Sequence, residues 1–188
     1  MPKVSAAHLD ARRRGILAAA QRCVARSGVA ATTMRDICRA ANLSPGGVYR
    51  YFSGKDDILA ALAAQRQTQV EHFFRHLGDS VQRRGLRSAL RELATLLDGE
   101  PARDSLQLDL HLASAALVSP RVHDAIAGGH RRVGGKIAGG LAGTPPAEST
   151  AAARALLALL QGMALQKALE PDLDLGAIVD GLIELLSD

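Results

Sequence analysis

Between residues 32 and 55 the chain reads TTMRDICRAANLSPGGVYRYFSGK, and this segment holds the side chains whose types and spacing could do chemistry. Arg35, Tyr49, Arg50, Tyr51 and Lys55 are hydrogen-bond donors carried on or beside two short helical patterns that flank a turn. The second pattern opens on Ser44-Pro45-Gly46-Gly47 and then presents Tyr49, Arg50 and Tyr51. A helix built this way turns its N-terminal end toward the DNA major groove. The chemistry implied is recognition of a polyanion and its base edges rather than bond making.

Other reactive groupings are weaker. His72 and His76 stand four residues apart on a helical pattern, a spacing that can grip a metal. No carboxylate or Cys completes the set nearby in sequence, although His111 could approach in space. The expectation is therefore no metal centre, with the two histidines as polar groups lining a cavity or its mouth. Gly129-His130-Arg131-Arg132-Val133-Gly134-Gly135-Lys136 has the look of a phosphate loop but fails on inspection. Counting back from Gly135-Lys136 places His130 where the first Gly is needed, and Ile137 replaces the hydroxyl that would bind Mg²⁺. Cys23 and Cys38 lack metal-ligand spacing and read as small core residues of a reducing compartment. With no nucleophile elbow, metal cluster or nucleotide loop, neither an enzyme nor a cofactor is expected.

The positioning elements are helices. Aromatics are only 3% of the chain and Trp is absent, so the core must be aliphatic, and no alternating Val/Ile/Thr-rich run marks a strand. The first helix is predicted over His8 to Ser27, with Ile16, Ala19, Ala20, Cys23 and Val24 on its buried stripe and Ser27-Gly28 ending it. Arg12, Arg13 and Arg14 lie near its start, a placement that opposes the helix dipole but suits phosphate. Thr33 and Asp36 match a capping box at the start of the second helix, and Asn42 closes it in a left-handed conformation. Ser44 caps the third helix with Pro45 at its first position. Val48 and Phe52 then point inward and leave Tyr49, Arg50 and Tyr51 on more exposed faces. A fourth helix is predicted from Lys55 to about Leu77, with further helices near 80–98, 103–118, 121–141, 148–169 and 173–187. The fold class expected is all-α, about nine helices.

The net charge of +4 hides a split: residues 1–55 carry +8 and the remainder −4. A basic first third suggests a polyanion partner for one end only. The start of the chain is polar, and its apolar runs, such as Ala155 to Leu160, fall far short of a membrane span, so a cytoplasmic protein is expected with no membrane partner.

The segment TTMRDICRAANLSPGGVYRYFSGKDDILAAL resembles the N-terminal domain of the tetracycline-repressor (TetR) family. The likeness covers roughly residues 12–65 and rests on the Thr-Thr start, Arg35-Asp36-Ile37, the Tyr49 to Phe52 box and Lys55. It implies a three-helix DNA-binding domain over 1–55 and a C-terminal ligand-binding and dimerisation domain over 56–188. By the same resemblance, Thr33 caps and could reach a phosphate, and Arg35 touches a base edge, where a guanidinium can read guanine O6 and N7. Ser44 and the backbone of Pro45, Gly46 and Gly47 meet the groove, Tyr49 and Tyr51 contact phosphate and thymine methyl, and Lys55 meets a phosphate. The sequence departs from the commoner pattern at Pro45 and Gly47, where many relatives carry Lys and Thr, Ser or Ala. Base reading is then expected to rest on Arg35, Tyr49 and Arg50, with close backbone approach at the glycines.

The resemblance also implies an effector pocket among the fourth to eighth helices, for which Gln69, His72, Phe73, His76, Leu108, His111 and Leu112 are the candidate lining. So few aromatics argue against a cage for planar cations; an aliphatic pocket with His or Gln donors suits a neutral or weakly acidic apolar molecule. The last two helices carry more apolar residues than one buried face needs, so Leu156, Leu160, Met163, Ile178, Leu182 and Leu186 are the candidate homodimer interface. Seven glycines fall within 128–143 and predict a weak, readily deformed helix. The expected function is a TetR-type regulator, a repressor, binding a palindromic operator as a dimer and released by a small apolar effector. The alternative is a DNA-binding regulator with no small-molecule effector, controlled by abundance or a protein partner.

Overall fold

The computed structural model describes residues 6–97, 100–140 and 145–185. Among these residues it contains nine helices and no strand, as the all-α expectation requires: α1 Ala6–Ala31, α2 Met34–Ala40, α3 Pro45–Tyr49, α4 Lys55–Arg84, α5 Leu86–Leu97, α6 Glu100–Ala116, α7 Pro120–Gly140, α8 Pro146–Leu169 and α9 Leu175–Leu185. They fall into two compact units, one of Met1–Arg66 with Gln107–Ala127, the other of Gln67–Leu106 with Gly128–Asp188.

The first unit is built on the stripe predicted for α1. Ile16, Ala20 and Val24 pack with Ile37 of α2, Val48 of α3 and Phe52, Ile58 and Leu62 around the start of α4. Phe52 is 1% exposed; burying a side chain of this kind contributes about 1.5–3 kcal/mol. Leu108, Leu112 and Ala115 of α6 and Val122 of α7 close the same core. Helical geometry in α1 breaks at Gly28, where φ is 73° and ψ 168°, and one further turn runs to Ala31. The predicted stop at Ser27-Gly28 is thus a kink rather than an end.

In the second unit α5 packs on α9. Leu90, Leu93 and Ala94 of α5 meet Leu160 and Met163 of α8 and Leu175 and Val179 of α9. Phe73 and Phe74 sit edge to face, ring centroids 5.5 Å apart, and both border this core. Helix α4 continues past the predicted end at Leu77 to Arg84, and Gly85 with φ 80° supplies the left-handed residue that stops it. Of the glycines in 128–143, Gly143 lies outside the described residues. An added Cβ at Gly129 would overlap the side chain of Gln67, whereas Gly135 and Gly139 face open space.

Candidate nucleic-acid interface and ligand cleft

Local chemistry sets α2 and α3 at a fixed turn. The Thr33 hydroxyl accepts the Asp36 amide at 3.2 Å and donates to Asp36 Oδ2 at 2.6 Å, while the Thr33 amide donates to the same carboxylate oxygen at 3.1 Å. These bonds from Thr33, with Arg39 and Arg26 adding to them, hold the Asp36 carboxyl below the usual range. The Thr33 hydroxyl proton is committed to the cap, so the phosphate contact implied by the resemblance would have to displace it. The turn then passes through Asn42 at φ 53°, the left-handed residue the sequence anticipated. Ser44 Oγ accepts the Gly47 amide at 3.2 Å, and Pro45 occupies the first helical position of α3. Arg22 Nη2 donates to the Ala40 carbonyl at 3.2 Å and satisfies the end of α2.

The side chains nominated for DNA divide into two sets. Arg35, Ser44, Pro45, Gly46, Tyr49 and Arg50 are exposed, and Tyr49 is 53% accessible. The guanidiniums of Arg35 and Arg50 make no hydrogen bond or ion pair within the described residues, so both keep their full donor forks for an outside acceptor. An added Cβ at Gly46 would meet nothing within 4 Å, and at Gly47 only Ser44 Oγ at 3.4 Å and Leu43 beyond it. The chain's own packing does not require glycine at 46.

The other set is turned inward. Tyr51, expected on an exposed face, is half-buried and packs against the core, because the backbone turns back after Tyr49 to seat Phe52. Lys55 Nζ donates to the carbonyls of Val29 at 3.1 Å and Thr32 at 3.2 Å. Its ammonium ties the start of α4 to the end of α1, where a free cation for phosphate had been expected. Arg13, read from the sequence as placed for phosphate, lies with its guanidinium 4.6 Å from the centroid of the Phe52 ring, a cation–π contact with no local signature. Sequence reasoning missed the links at the base of α4. Ser119 Oγ donates to Asp56 Oδ2 at 3.0 Å, Arg121 Nη1 to Ser53 Oγ at 3.4 Å, and Arg66 bonds both oxygens of Asp109 at 2.8 and 3.0 Å.

In the second unit, Gln69, His72, Phe73 and His76 of α4 line a cleft of about 340 Å³ together with Glu92 and Leu96 of α5. Four of the nominated ligand residues are thus brought together. Leu108 and Leu112 are not among them: they are 4% and 2% exposed in the core of the first unit. His111 packs there as well, its Cε1 3.3 Å from where a Cβ on Gly28 would stand. Glu92 and Leu96 went unnoticed because they come from another helix at no fixed spacing. Nearby, Glu71 receives Lys136 Nζ at 2.9 Å and Arg132 Nε at 2.6 Å, and those bonds, Lys136 first, lower its carboxyl pKa.

The residues nominated for dimerisation are partly spent inside the chain. Leu160 and Met163 are buried in the second core, and Leu156 and Ile178 pack against it. Leu182 is half-buried, and Leu186 lies outside the described residues. Among the described residues of α8 and α9, Leu165, Leu169 and Leu185 leave apolar side chains exposed, at 37%, 72% and 79%.

A capped helix-turn-helix with exposed arginines, carried on an otherwise helical chain, defines a helix-turn-helix protein of the regulator class. Residues 16–62 match the family model described as bacterial regulatory proteins, tetR family. The HTH-type transcriptional repressor Rv1474c of Mycobacterium tuberculosis is 45% identical over 65 residues, which cover 35% of this chain and 35% of that protein. The chain thus spans about a third of the length of the curated relatives it matches. Over the whole fold, GusR of Salmonella enterica superposes with a TM-score of 0.76 at 21% identity, covering 96% of each chain. The multidrug binding protein EbrR complexed with imidazole gives 0.68 at 26% identity, covering 91% of this chain and 94% of that one. Residues 16–62 are thus similar to the tetR-family domain of bacterial regulatory proteins, and the chain shares its fold with solved structures such as GusR. No helix among the described residues is long and apolar enough to cross a membrane.

Proposed function

We propose that the chain is a cytoplasmic repressor that binds a palindromic DNA operator as a homodimer and is released by a small apolar effector. In this reading residues 1–55 grip DNA and residues 56–188 bind the effector and the second copy. The observation that carries it is the exposed row of Arg35, Tyr49 and Arg50, whose two guanidiniums have no internal partner. Rigid caps at Thr33 and Ser44 hold that row in place, as base reading by a short helix requires. The Mycobacterium tuberculosis relative is named a transcriptional repressor, which supports repression over activation.

Leu165, Leu169 and Leu185 supply apolar surface for a second copy, which would set two reading helices on two half-sites. The cleft supports an effector, because Phe73 and Leu96 offer apolar walls while Gln69, His72 and His76 offer donors. The ligand-bound state of EbrR favours the same idea. Fluorescence anisotropy with duplexes from the DNA flanking the gene tests the proposal. Salt-sensitive, sequence-selective binding with one dimer per palindrome is expected. Binding equal on all duplexes would sink it, and selective binding unmoved by any ligand that enters the cleft would favour an effector-free regulator.

A further inference from the structure

We propose that His72 and His76 form a chelating site for a late divalent transition metal, copper(II) or nickel(II). The two residues stand one turn apart on α4, so both imidazoles leave the same helix face. Their Nε2 atoms lie 2.9 Å apart, with ring centroids at 4.4 Å and ring planes at 89°. In the metal-free chain one Nε2 donates its proton to the other. Moving that proton to Nδ1 of the same ring frees both Nε2 lone pairs, and exposed rings can pivot to aim them at one ion.

Two imidazoles leaving one helix face suit copper(II) and nickel(II), which bind nitrogen ligands tightly among the first-row divalent ions and accept tetragonal coordination. Among the described residues no three His, Cys, Asp or Glu side chains are grouped as a ligand set, so the site is a two-imidazole chelate. Its other positions are left to water or to an oxygen atom of a small molecule in the cleft. Glu92 lines the same cleft and adds a favourable charge, tempered by Arg84 at 3.0 Å. The sequence argued against a metal because no third ligand follows nearby. The fold changes that judgement by bringing the two nitrogens together on one helix face. The site stands on ring geometry alone and does not depend on DNA binding.

Titration of the full chain with copper(II), followed by electron paramagnetic resonance, tests it without any operator. One tight equivalent with two equatorial nitrogen ligands is expected. His72→Ala and His76→Ala should each weaken it by at least about tenfold, the scale that changes just outside a ligand shell already reach. His123→Ala, which removes an exposed histidine of the first unit, should leave it unchanged. Circular dichroism of each variant checks that the helices are intact. The proposal is overturned if no tight equivalent binds, if it survives both alanine variants, or if His123→Ala removes it equally.

Discussion

The ammonium of Lys55 lies 3.1 Å from the carbonyl oxygen of Val29, so the first residue of α4 closes the end of α1. A second bond, to Thr32, places the charge on the carbonyl end of a helix, where a cation is favoured. Lys55→Ala should therefore cost about 1.5–3 kcal/mol of folding stability, the range for hydrogen bonds to charged groups. Urea denaturation checks this through the midpoint. A midpoint unchanged from wild type, with DNA binding lost, would show instead that Lys55 serves phosphate and not the fold.

Arg35 is the opposite case. It is exposed and spends no donor inside the chain. Arg35→Ala should leave stability within about 0.5 kcal/mol of wild type. It should cost about 1–3 kcal/mol of discrimination at one base pair per half-site. Competition between duplexes differing at single positions measures the loss. Equal weakening on every duplex would assign Arg35 to phosphate.

Two glycines should respond in opposite senses. Gly28→Ala places a Cβ at φ 73° and 3.3 Å from His111 Cε1, and should destabilise by about 1 kcal/mol or more. Gly46→Ala meets nothing within 4 Å and should stabilise by up to about 1 kcal/mol. If DNA approaches the backbone there, the same Gly46→Ala change weakens binding. Paired melts and binding curves separate the effects. A stable Gly28→Ala variant would contradict the kink as drawn.

Acid should loosen the second unit through Glu71. Lys136 and Arg132 hold its carboxyl below the ordinary value of 4.5. A depressed carboxylate pKa contributes stability above 4.5 that is lost as pH falls through the folded value. Asp180, held down by Arg91, and Asp36, held down by Thr33, act in the same sense. Thermal midpoints should be flat near neutrality and decline below about pH 4, and Glu71→Gln should shallow that decline. An identical acid limb in Glu71→Gln would exclude the contact as a source.

The parts of this fold that were legible beforehand are local. Thr33 with Asp36, Asn42, and Ser44 with Pro45 announce their caps and turn because each bond spans a few residues. The stripe through Ile16, Ala20 and Val24 is equally local. Leu108 and Leu112, candidate cleft lining by resemblance, instead lie in the core of the first unit, because the helix spacing does not say which element covers them. Leu160 and Met163 were given to a second copy for the same reason, when α5 and α9 cover them. The bonds of Lys55 to carbonyls at the end of α1 were not legible, because backbone acceptors leave no mark in side-chain patterning. Glu92 reached the cleft from another helix and left no trace at fixed spacing.

The central claim is that α2 and α3 read DNA through Arg35, Tyr49 and Arg50. Selection of random-sequence duplexes by the full chain, with sequencing of the bound fraction, tests it most directly when wild type and Arg35→Ala are run side by side. The account predicts an enriched inverted repeat for wild type and the same repeat with one position per half-site relaxed for Arg35→Ala. No enrichment for wild type, or identical preferences in both proteins, would contradict it.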